Sequence, residues 1–218
     1  MADSLADLNL SQVVLAIGSL GTAAYGVVDA TKAFGGGISN RGFGDIRSVL
    51  ARFILPASLP SVLSTLRANW LNGMPLADQK AVAKALVKLN LTEASAIAMA
   101  GAAGVDVPTL RSVATKLAAG GTLSQPETDV YGRFDLLLSS QLDQGYQRAD
   151  QRYRNSAKLL AVVVSVALAV AGAWMAYPQT PVGIAILAGL LATPLAPIAK
   201  DLSSAIQAGA RVAQAWKK

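Results

Sequence analysis

The chain has 218 residues and contains no cysteine and no histidine. Those absences exclude disulfides, thiolate nucleophiles, zinc sites of the usual type, Ser-His-Asp triads and histidine acid–base chemistry. Glutamate is nearly missing too. Glu93 and Glu127 are the only two, and none of the eleven aspartates forms an evident metal or acid–base cluster with them. We therefore expect no enzyme, with no catalytic residue, no cofactor and no metal. Charged residues are also scarce, at 15% against about 25% in soluble domains.

The scarcity is local. Asp7 to Asp29 encloses 21 uncharged residues, and Lys158 to Lys200 encloses 41. Because about 20 apolar residues cross a hydrocarbon core, the second gap is long enough for two crossings. Residues 159–177, "LLAVVVSVALAVAGAWMAY", read as one span, with Trp174 and Tyr177 as interface anchors at its end. Pro178-Gln179-Thr180-Pro181 reads as a turn, after which a second pass runs to residue 199, interrupted by Pro194 and Pro197. The first gap is less apolar, and a buried soluble helix competes with the reading of a span there. A cleaved signal peptide would want a basic start, whereas this one carries Asp3 and Asp7.

The fold class expected is an all-α integral membrane protein, with three transmembrane helices and a helical cytoplasmic domain between the first and the second. Its parts are a short external N-terminus (1–9), transmembrane helix 1 (10–28) and a Gly-rich juxtamembrane hinge (29–45). A helical cytoplasmic domain (46–123), an amphipathic helix leading into the membrane (124–158), a transmembrane hairpin (159–199) and a basic cytoplasmic tail (200–218) follow.

What is present in excess is positive charge, +6 net, and its distribution suggests an orientation. Arg148, Arg152, Arg154 and Lys158 precede the hairpin, Lys200, Arg211, Lys217 and Lys218 follow it, and Lys32, Arg41, Arg47 and Arg52 follow the first span. The positive-inside rule then places the N-terminus outside and the C-terminus in the cytoplasm. Alanine richness and short external segments suggest a bacterial inner membrane.

Between the first span and the domain lies "AFGGGISNRGFGDIR", with five glycines in fifteen positions. A phosphate-binding loop needs a preceding strand and a specific spacing. Asn40 stands where a third glycine of G-x-G-x-x-G belongs, and no G-K-[ST] follows. The glycines read as a turn that releases the chain from the bilayer.

The domain reads as helices separated by Pro and Gly. Phe53 to Leu66, broken by Pro56 and Pro60, reads either as an interfacial segment anchored by Trp70 or as a core hairpin. Residues Leu76 to Leu89 carry Lys80, Lys84 and Lys88 in one stripe, a solvated face or one touching anionic lipid headgroups. Arg148, Arg152, Arg154 and Lys158 are further candidate headgroup contacts. No aromatic residues interleave with the lysines, which disfavours nucleic acid. Thr92 to Gly104 reads as core. Asp106 and Pro108 open a helix that Gly120-Gly121 closes, and Ser124 with Glu127 forms a capping box. No proline occurs between Pro126 and Pro178, so a continuous helix of roughly 75 Å is expected. Its stripe of Phe134, Leu138, Leu142, Ala149 and Tyr153 needs a partner.

Small residues recur at Ala161, Ser165, Ala169 and Ala173, and at Ala185, Gly189 and Thr193, the spacing that lets membrane helices approach closely. Ser19, Ala23 and Gly26 add a further small face, more than one hairpin consumes, which suggests a homo-oligomer. The expected function is a non-catalytic membrane scaffold or anchor, bound to lipids and to protein partners in a larger assembly. The alternative is an oligomeric pore-forming or membrane-perturbing effector gated by its cytoplasmic domain.

Overall fold

A computed structural model of the chain describes residues 10–176 and 178–215, with side chains to Ile206. Eight α-helices and no strand occur among the described residues: α1 (Leu10–Ala30), α2 (Asn40–Leu50), α3 (Leu59–Leu71), α4 (Leu76–Leu89), α5 (Glu93–Ala103), α6 (Val107–Ala118), α7 (Gln125–Ala176) and α8 (Val182–Ala215). Three are long and apolar enough to cross a membrane: α1 with the turn that follows it, α7 and α8. The chain divides into a central unit, Ser39–Tyr153, and a terminal unit, Met1–Ile38 with Arg154–Lys218. The expected external N-terminus (1–9), Tyr177 and the end of the basic tail lie outside the described residues.

The central unit has a conventional apolar core. Phe53, Leu66, Met99, Leu110, Phe134, Leu138 and Tyr146 are fully buried. Phe134 meets the edge of Phe53 with ring centroids 6.4 Å apart and stacks on Tyr131 at 6.2 Å. The stripe on α7 thus finds its partner inside the same chain. Phe53, Ile54, Val62 and Leu66 are all buried, so the Pro-broken segment is a core element and not an interfacial one.

Local sequence explains the helix ends. Thr92 accepts the amide of Ser95, whose hydroxyl accepts the amide of Thr92, closing a box at the start of α5. Asp106 accepts the Thr109 amide at 2.9 Å, and the Thr109 hydroxyl and amide together hold its carboxyl below the usual range. Gly120, with φ of 68°, ends α6 in a conformation that disfavours a Cβ. α7 runs unbroken for 52 residues. Gly145 gives room: a Cβ there would meet Val49 at 2.8 Å, so α2 lies close against α7.

In the terminal unit, Gly35, Gly36 and Gly37 all take positive φ, and a Cβ on Gly37 would collide with the Thr31 carbonyl. Three successive left-handed residues fold the chain back on itself after α1. The glycine run is therefore a turn.

Candidate membrane interface

The terminal unit is held together by small side chains. The hairpin of α7 and α8 closes where Ser165 Oγ donates to the Gly189 carbonyl at 2.8 Å, sharing its proton with the Val162 carbonyl at 2.9 Å. A Cβ on Gly189 would meet Val166 Cα at 2.5 Å, so only glycine permits this approach. Ala161, Ser165, Ala185, Gly189 and Thr193 are buried, whereas Ala169 and Ala173, nearer the tip, are half-buried. Pro194 and Pro197 sit inside α8 without ending it, as membrane helices tolerate.

α1 packs on α8 through a face that the sequence reading did not choose. Gly18, Gly21, Ala24 and Val28 are buried, while Ser19, Ala23 and Gly26 are exposed. A Cβ on Gly18 would collide with Ala199 and lie 3.0 Å from the Leu195 carbonyl, and one on Gly21 would collide with the Ala192 carbonyl. Advancing along α1 from Gly18 to Gly21 thus moves backwards along α8, so the two helices are antiparallel. The charge-based orientation, with Lys32 and Lys200 on one side of a membrane, requires them to be parallel. Charge counting registers the flanks of a segment and is blind to which helix it lies against, so the antiparallel packing is at odds with both helices crossing a membrane in that sense.

The outer surface of this unit is apolar and bulky. Val163, Leu168, Ile184, Leu187, Leu190 and Ile198 are exposed, and Trp174 is 79% exposed at the end of α7. Trp70 behaves oppositely. It is only 9% exposed, donates its indole N–H to the Ser39 carbonyl at 2.9 Å and meets the edge of Tyr153. Trp70 is therefore a core residue and not an interface anchor, because its polar edge is satisfied by backbone.

The basic stripe of α4 is also reassigned. Lys80 pairs with Asp143 at 2.5 Å, and Lys84 and Lys88 both pair with Asp135 at 2.6 and 2.7 Å. These lysines bolt α4 to α7 and do not form a free face for headgroups. Burial alone would raise the Asp135 carboxyl, but Lys84 and Lys88 outweigh it and hold it below its ordinary value. Burial likewise opposes the charge on Lys88, yet Asp135 and Tyr131 leave its ammonium raised. Arg152 pairs with Asp45 at 3.1 Å. Arg148, Arg154 and Lys158 are exposed.

Glu127 does more than cap. It accepts the Ser124 amide at 2.7 Å and hydroxyl at 2.8 Å, Ser112 at 2.6 Å and Lys116 at 2.7 Å. Lys116 first, then Ser112 and Ser124, bring its carboxyl down to about 2. The S-x-x-E spacing showed the cap; the tie to α6 had no local signal. Among the described residues, no group of three acidic side chains is placed to hold a metal ion.

The chain matches no protein-family model, no curated protein and no solved structure.

Proposed function

We propose that this chain is a non-catalytic scaffold or anchor of a bacterial cytoplasmic membrane, which self-associates and presents its helical central unit to a larger assembly. The observation that carries the reading is the largely inverted exposure of the terminal unit, where Leu168, Trp174, Ile184, Leu187 and Ile198 face outward and Ala161, Ser165, Ala192 and Thr193 face inward. Such a surface is costly in water and neutral in hydrocarbon. The hairpin is the anchor, with Lys158 and Lys200 at its cytoplasmic end, and Lys158 is the cation best placed by sequence to touch headgroups. Self-association rests on α1, whose Ser19, Ala23 and Gly26 stay exposed, with open space where a Gly26 Cβ would stand.

One observation favours the pore reading as the second choice. Leu15, Ser19, Thr22, Lys200, Ser203 and Ser204 line a cavity of about 410 Å³ between α1 and α8, a polar lining among apolar helices. Carbonate-washed membranes followed by mass measurement in detergent test the proposal. The protein should stay in the pellet and emerge as a multimer that leaves dye trapped in liposomes. Release of the dye would favour the pore, and recovery in the wash would overturn both readings.

A further inference from the structure

Six cations of the central unit pair with carboxylates: Lys80, Lys84, Lys88, Arg111, Lys116 and Arg152. Arg52 and Arg148 have no carboxylate partner among the described residues, and both line one cavity between α2 and α7. The cavity measures about 240 Å³, and its other polar walls include Asp45, Ser48, Gln141 and Gln144. Asp45 would repel an anion if it were alone, but Arg152 at 3.1 Å neutralises it. What remains is two guanidinium groups on one small polar hollow, and guanidinium forks match the oxygen geometry of phosphate and carboxylate.

We infer that this cavity binds the phosphate group of a small phosphomonoester, with Arg52 and Arg148 as the two anion-binding side chains and Gln144 as an amide donor. Size sets the class of ligand. Pockets for drug-sized molecules are about 300–1,000 Å³, so a hollow of about 240 Å³ suits a phosphate with a short substituent and is too small for a nucleotide. Two positive charges suit a dianionic monoester better than a singly charged carboxylate or phosphodiester. The proposal does not depend on the scaffold reading, because it concerns only residues of the central unit.

The same phosphate chemistry is offered by a soluble metabolite and by a monoester lipid headgroup. Calorimetry on the full chain in detergent, titrated with inorganic phosphate and with glycerol 3-phosphate, tests the site, and vesicles containing phosphatidic acid test the lipid source. Saturable binding of one phosphate per chain is expected. It should weaken about tenfold or more in R52Q and in R148Q, the loss expected for one charge-assisted bond. R41Q and R47Q remove the same charge from exposed arginines of α2 that do not line this cavity, and should stay within about twofold. Circular dichroism confirms that each variant remains helical. Absence of saturable binding to both soluble phosphate and phosphatidic acid vesicles, or equal weakening in all four variants, would overturn the inference. Binding to phosphatidic acid vesicles alone would support the site and assign its ligand to the bilayer.

Discussion

The two units use opposite rules for what goes inside. In the central unit the large side chains Phe53, Phe134, Leu66 and Tyr146 are buried, and ion pairs such as Lys80–Asp143 and Lys84–Asp135 lie nearer the surface. In the terminal unit the buried residues are mainly small, Gly18, Gly21, Ala161, Ser165 and Gly189 among them, and many large ones, such as Leu168, Ile184 and Leu187, are outside. Water drives the first arrangement by expelling apolar area. It cannot drive the second, where helices gain from close backbone approach and an interhelical hydrogen bond. The chain therefore carries two solvents' worth of instruction in one sequence.

The sharpest way to break the contrast is to cut a large side chain from each unit. Phe134→Ala should destabilise the central unit by about 3–5 kcal/mol, read by urea titration of the full chain in detergent with tryptophan fluorescence. Ile198→Ala, at an exposed position, should change stability by no more than about 0.5 kcal/mol. Equal losses would mean that the terminal unit also has an ordinary apolar core.

A second test reverses the substitution and adds bulk to a small residue. Since the natural chain lacks cysteine, a Leu15→Cys, Ser203→Cys pair can report the α1–α8 contact by cross-linking, both positions lining one cavity. The cross-link should form, and Gly21→Val should abolish it at a cost of about 1–3 kcal/mol from overpacking. Gly26→Val, which meets open space, should leave it intact. Failure of the pair to cross-link in the otherwise natural chain would remove the antiparallel packing.

The smallest effect concerns acid. Glu127 titrates at about 2 in the folded chain against 4.5 ordinarily, so its contribution to stability is complete above pH 4.5 and is lost as pH falls towards 2. The thermal midpoint of the full chain should drop across that window, and Glu127→Gln should flatten the drop. Some slope should survive, because Asp106 and Asp135 are also held low. An unchanged slope in Glu127→Gln would show that its four hydrogen bonds do not persist in solution.

Much of the fold was legible because its signals are local. Forty-one uncharged residues announce the two apolar passes, Asp106 with Pro108 and Ser124 with Glu127 announce helix starts, and the lack of proline after Pro126 announces the length of α7. The misreadings concern partners. A lysine stripe shows that a helix has a charged face but not that Asp135 and Asp143 will stand opposite it, about 50 residues or more away. Trp70 near an apolar segment looks the same whether its ring meets lipid or the Ser39 carbonyl. On α1, Gly, Ala and Ser occupy every side, so periodicity selects no packing face. The cavity of Arg52 and Arg148 left no trace at all, since its walls come from positions almost one hundred residues apart.

The grip of α4 on α7 is lopsided. Two ammonium groups one helical turn apart depend on the single carboxylate of Asp135. Loss of either lysine leaves a working pair behind, whereas loss of the acid leaves two like charges facing each other with nothing between them. Asp135 is thus the shared anchor of two of the three ion pairs in that seam, and Asp143 serves only Lys80.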